Sequence, residues 1–217
     1  LFVNRNHWNI DDRSGASTPL NPLLPLIAVG RSPSLVRLTY MAACFVCVQI
    51  VWLAFLSPFF VEDLKISLVQ AGYFLAIIQV TGIFGRIIWG WISDRLQDNF
   101  SPMLFLGGVM ALCSAAAHAL SADTPFFVLA LLCFFIGFSA VSWNGVFHAA
   151  MIEVSPPGET VQAIAGMAFY VYIAMFVWPA LFAFLIETTG SYVLPLLSLV
   201  VFSIGGVLFG WRAKALR

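Results

Sequence analysis

The sequence predicts an all-α membrane protein with six spanning helices. Three observations carry that expectation. Of 217 residues, 61% are hydrophobic and 9% charged, where a soluble domain carries about 25% charge. The apolar residues gather into six runs, each long enough at about 1.5 Å per residue to cross roughly 30 Å of hydrocarbon. Nine of the ten Lys and Arg residues fall on one side of those runs, the bias of loops held on the cytoplasmic face.

Taken in order, residues 1–37 combine Arg5, Asp11, Asp12 and Arg13 with prolines at 19, 22, 25 and 33. The apolar stretch 23–29 is too short to span and is interrupted by Pro25, so this part reads as a linker or a surface-lying segment. The first span, 38–61, holds Gln49 near its middle and is closed by Glu62-Asp63-Leu64-Lys65. The second, 69–92, has one charge, Arg86, and leads into a loop at 93–101. The third, 102–120, starts with Ser101 as N-cap and Pro102 as first helical residue, a standard start signal. Thr124 and Pro125 repeat that signal for the fourth span, 125–152, whose second half is unusually polar. The fifth, 161–186, carries Pro179, and the sixth, 193–211, ends before Arg212, Lys214 and Arg217. The spanning unit is therefore 38–212, between a linker at 1–37 and a tail at 213–217.

The basic residues place both ends of this segment, and the second-to-third and fourth-to-fifth loops, in the cytoplasm. The fourth-to-fifth loop carries Glu153 and Glu159 and no basic residue; the number of spans puts it there. The chain begins at Leu1 and shows no signal-peptide pattern, so it reads as a piece of a longer protein.

Several function classes drop out. A net charge of zero argues against nucleic acid as a partner. Cys44 and Cys47 have redox spacing but lie, with Cys113 and Cys133, inside lipid-length apolar runs, where small apolar filler is the expected use. No metal or cofactor is expected. A membrane-embedded enzyme needs converging acid–base groups, and His148 and Glu153, five apart on a helix, point about 140° from each other.

Polar side chains at mid-depth are costly in lipid and must face a neighbouring helix or a cavity. They are Gln49, Gln79, Thr81, Ser139, Ser142, Asn144, Tyr170 and Tyr172. Gln49 and Gln79 suit hydrogen bonds to a solute, and Trp143 and Tyr170 suit stacking on it; helix-to-helix bonding serves each equally well. Ser139 and Trp143 share a face, and Asn144 and His148 the adjoining one. Arg86 either snorkels to the interface or meets an anion or a gate partner. His148 is either a packed polar residue or a proton site. Gly82, Gly85 and Gly90, and the pairs Gly72/Ala76, Gly145/Ala149 and Gly206/Gly210, suit close approach of another helix.

The second span ends Gly90-Trp91-Ile92-Ser93-Asp94-Arg95. A carboxylate just past a helix end can accept from the open N–H groups of another helix. Gly90, Asp94 and Arg95 resemble the loop motif of the major facilitator superfamily: a glycine, three residues, an Asp and a basic residue. The family pattern continues with a glycine and further basic residues, where this chain has Gln97, Asp98 and Asn99; that weaker form is similar to the copy in the second half of such transporters. Trp143-Asn144-Gly145-Val146-Phe147, Ser155-Pro156-Pro157-Gly158 and Thr189-Gly190-Ser191-Tyr192 also resemble bacterial members.

The resemblance implies one six-helix half, the second, of a twelve-helix transporter, made of two inverted three-helix repeats and facing an absent first half across a central cavity. It implies alternating access for a small solute in an inner (plasma) membrane, with residues 1–37 as the tail of the central linker. The cavity residues would be Gln49, Gln79, Ser139, Ser142, Trp143, Asn144 and Tyr170. Gly90, Asp94, Arg95 and Arg86 would serve gating, and His148 would be the candidate proton site. The absence of a mid-membrane acid, with Arg86 nearby, leans the solute towards an organic anion. The rival reading is a six-span scaffold or sensor subunit.

Overall fold

A computed structural model of the chain describes residues 24–156 and 158–216. All regular structure among them is helical. The helices are α1 (Leu24–Arg31), α2 (Pro33–Glu62), α3 (Leu68–Leu96), α4 (Phe100–Ala116), α5 (Phe126–Ile136), α6 (Asn144–Val154), α7 (Thr160–Thr189) and α8 (Val193–Lys214). Six candidate spans result, with α5 and α6 forming one between them.

The spans lie where hydropathy put them; their ends do not. Helix α2 starts five residues early, at Pro33, because Ser32 accepts from the N–H of Leu35 at 3.4 Å and the proline suits the first turn. Helix α3 runs on to Leu96, closed by Gln97 in the left-handed region at φ 51°. Helix α4 starts at Phe100 rather than at Pro102. Asn99 holds the N-cap position without a side-chain capping bond, and Asp98 before it does the capping: its Oδ1 accepts from the N–H of Phe100 at 2.9 Å. Thr124 does not cap the fourth span either; its hydroxyl accepts from the N–H of Ser121 within the turn, and the helix begins at Phe126.

Residues 24–31, read from sequence as linker or surface-lying, form α1, which packs on α7 where Gly166 lets the Pro25 carbonyl come close. The charged stretch Arg5 to Arg13 and the prolines at 19 and 22 lie outside the described residues.

Helix α2 is the axis of the bundle, packed chiefly on α8 and α7, and α4 packs on α8. The fully buried Phe45 ring sits between Gly107 of α4 and Gly206 of α8, which gives the Gly206/Gly210 pair its reason. Gly72 and Gly90 have no such neighbour within 4 Å.

The fourth span is not one rod. Between α5 and α6 lie a π-helical segment, Gly137–Val141, and a turn at Ser142 and Trp143. A π segment frees carbonyls from the regular ladder, and in hydrocarbon each must find a donor. Helix α3 supplies them: Trp89 Nε1 donates to the Phe138 carbonyl at 3.0 Å and Arg86 Nε to that of Val141 at 3.2 Å. Gly82 and Gly85 admit Val141 and Ser142, and Gly137 admits Thr81 and the Ile78 carbonyl.

Candidate functional site

A cavity of about 260 Å³ opens between α2, α6 and α7. Its polar lining is Gln49, Trp143, Asn144, His148 and Tyr172, with Met167 and Met175 among the apolar residues. Among the described residues its wall contains no Asp, Glu, Lys or Arg.

The π segment and turn set this wall, because they deliver Trp143 and Asn144 to the start of α6. Trp143 is 1% exposed and lies edge-on to Phe45 and Phe147 at 5.6 and 5.1 Å. Its indole Nε1 donates to Gln49 Oε1 at 3.1 Å, and Asn144 Nδ2 donates to the same oxygen at 3.3 Å. An indole N–H only donates, so it fixes which end of the Gln49 amide is oxygen. The Gln49 NH₂ group is then left for the cavity. His148 Nδ1 lies 2.6 Å from the Asn144 carbonyl. A carbonyl only accepts, so Nδ1 carries the proton in this contact and Nε2 is left as the acceptor.

The other residues singled out from sequence lie elsewhere. Ser139 and Ser142 are buried and turn into their own span, donating to the carbonyls of Phe135 and Phe138. Gln79 is on the exposed face of α3. Tyr170 lines a separate cavity of about 340 Å³ with Thr39 and Tyr40. Tyr172, absent from the expected cavity set, lines the cavity between α2, α6 and α7 instead. The helical phase held the clue: Ile164, Ala168, Val171 and Met175 also line the cavity, and Tyr172 follows their three-to-four spacing more closely than Tyr170 does.

The loop motif also sits differently. Because α3 continues to Leu96, Asp94 lies within its last turn and not past a helix end. It is exposed, and its carboxylate meets no donor among the described residues. Arg95 lies over the Trp91 ring at 5.1 Å. Arg86 has no carboxylate partner among the described residues and is anchored by Val141.

The capping expected of Asp94 is performed by Asp98. Besides the Phe100 N–H, it accepts from the Ser101 hydroxyl and from Lys214 Nζ of α8, both at 2.6 Å. Partial burial alone would raise its pKa; the Lys214 ammonium, the Ser101 hydroxyl and the two backbone N–H groups outweigh that and hold it well below the usual carboxylate range. Ser93 Oγ joins this junction through the Asp98 carbonyl, and Asn99 Nδ2 reaches Glu153 at 3.0 Å. At the other end of the bundle, Tyr192 donates to Glu62 at 2.9 Å.

Compared with known families, residues 3–179 match the Major Facilitator Superfamily. The chain belongs to that superfamily. That superfamily is one of membrane transporters and not of enzymes. One relative is the probable sulfoacetate transporter SauU of Cupriavidus necator, 28% identical over 187 residues. The match covers 82% of this chain and 41% of that protein, so the chain spans about two-fifths of the length of this curated superfamily relative.

Proposed function

We propose that this chain is the second six-span half of a secondary active transporter that moves a small organic anion by alternating access. The observation that carries the reading is the cavity wall. Gln49 uses its acceptor on Trp143 and Asn144 and presents its two N–H donors, and among the described residues the wall holds no carboxylate to repel an anion. Hydrogen bonds from fixed donors to a charged acceptor are the strong kind. The likeness to a probable sulfoacetate transporter supports a small carboxylate or sulfonate as solute. The short match to that relative, and the wide exposed apolar faces of α3 and α7, support an absent first half as the partner that completes the cavity.

In this reading Gly90, Asp94 and Arg95 work against that partner, and both ends of the segment are cytoplasmic in an inner membrane. His148 takes the proton if transport is proton-coupled, with Nε2 as its site.

The test is Gln49→Glu in the full-length protein. Glutamate keeps an oxygen for Trp143 and Asn144 but puts an anionic acceptor where the donor was. Uptake of sulfoacetate or a similar carboxylate is expected to fall at least about tenfold, with the amount of protein in the membrane unchanged. Unchanged uptake would remove the anion reading.

A further inference from the structure

Arg37, early in α2, and Arg212, in the last turn of α8, are 175 residues apart in sequence and meet at the basic end of the bundle. An Nη1–H of Arg37 donates to the Arg212 carbonyl at 2.9 Å. That bond satisfies one open carbonyl of α8 and accounts for where Arg37 points. It also brings the Arg37 guanidinium to the backbone of Arg212, an exposed arginine, so two arginine residues stand at one corner. Lys214 has Asp98 and Arg31 has Glu159, but neither Arg37 nor Arg212 has a carboxylate partner among the described residues. Like charges kept together call for an anion, most of all where water is thinned. The unused N–H donors of two guanidinium groups suit a phosphate.

A second observation says which phosphate. Leu194, Leu197, Val201, Ile204, Leu208 and Trp211 form a stripe at three-to-four spacing along α8, each 46–70% exposed, and it ends beside Arg212. Tyr40, 55% exposed, stacks on Phe209 of α8 at 5.2 Å. Aromatic rings at the end of an apolar stripe, next to cationic side chains, match the headgroup level of a bilayer. A soluble anion has no use for the stripe; a lipid uses both parts.

We propose that Arg37 and Arg212 form a headgroup site for an anionic phospholipid, whose acyl chain lies along the exposed stripe of α8. The site ties the start of α2 to the end of α8 through the lipid phosphate as well as through the direct hydrogen bond.

The test is lipid retention by native mass spectrometry of the purified protein, offered equal amounts of phosphatidylglycerol and phosphatidylcholine. Phosphatidylglycerol is expected to be preferred. The preference should fall roughly fivefold in Arg212→Gln and again in Arg37→Gln. Arg212→Lys should keep most of it, which separates loss of charge from damage to α8, and Arg31→Gln should leave it unchanged. A preference that is absent, or that survives Arg37→Gln with Arg212→Gln, overturns the site. Full displacement of phosphatidylglycerol by millimolar inorganic phosphate overturns the lipid and leaves a site for a soluble anion.

Discussion

The fourth and fifth spans are similarly apolar in composition, yet they are held in opposite ways. Of the most apolar stretch of the α5–α6 span, 56% is buried, against 6% for α7. The fourth span is broken, but α3 meets the break at several points: a glycine where backbones approach, an indole at the Phe138 carbonyl and a guanidinium at that of Val141. Helix α7 is continuous through Pro179 and nearly bare, with Phe176 82% exposed. Hydropathy reports that a segment avoids water; it says nothing about whether protein or lipid replaces it. What separates the two spans is the placement of small and hydrogen-bonding residues on the neighbouring helix.

That contrast is open to direct attack, and the largest effect is expected at the seam. Gly137→Val forces a branched side chain against Thr81 and the Ile78 carbonyl, which should cost about 3 kcal/mol and lower the thermal unfolding midpoint in detergent sharply. Gly90→Ala on α3 meets nothing within 4 Å, so it should gain about 0.5–1 kcal/mol through helix propensity. Equal effects at the two glycines would mean that the seam is not what fixes the fourth span.

A smaller effect is expected at the Asp98 junction. Asp98→Ala removes the cap of α4 and the partner of Lys214, for a loss of about 1–2 kcal/mol. The folded state holds this carboxyl below its ordinary range, so its contribution is complete above the unfolded pKa of about 3.9 and is lost as pH falls below it. Unfolding measured across pH should show a constant gap between wild type and variant at pH 5–8, closing only in stronger acid. A gap that closes at neutral pH would mean that another group carries the junction.

The smallest effect on stability is expected at Asp94. Its carboxylate meets no donor among the described residues, so Asp94→Asn should shift unfolding by less than about 0.5 kcal/mol. Uptake by the full-length protein should nevertheless drop, since the proposed work of this residue is against the other half. Uptake and membrane level measured together decide it; normal uptake would take Asp94 out of the mechanism.

Six spans could be read from the sequence because burying peptide groups in lipid demands long apolar helices, and composition records that demand. Span ends were harder. Ser32-Pro33 is an ordinary start signal, but it lies in a proline-rich stretch that also reads as linker. Gln97 closes α3 in a conformation more often given to glycine. The interruption of the fourth span left only indirect traces, Gly137 and the serines at 139 and 142, which suit plain helix packing equally well. Gln49, Trp143 and Asn144 could be named from their type and depth, whereas their shared hydrogen bonds depend on how the turn at 142–143 rotates α6. Tyr170 and Tyr172 sit about 200° apart around a helix, so without the phase of α7 either was an equal candidate.

The fastening of α3 to the π segment has a mechanical consequence. Trp89 and Arg86 grip the backbone at Phe138 and Val141, while Asn144, three residues beyond, faces the cavity. Helix α3 and the cavity wall are thus joined like a handle and a blade: in the proposed transporter, a push on the Asp94 end of α3 would be delivered to the side chains proposed to hold the cargo.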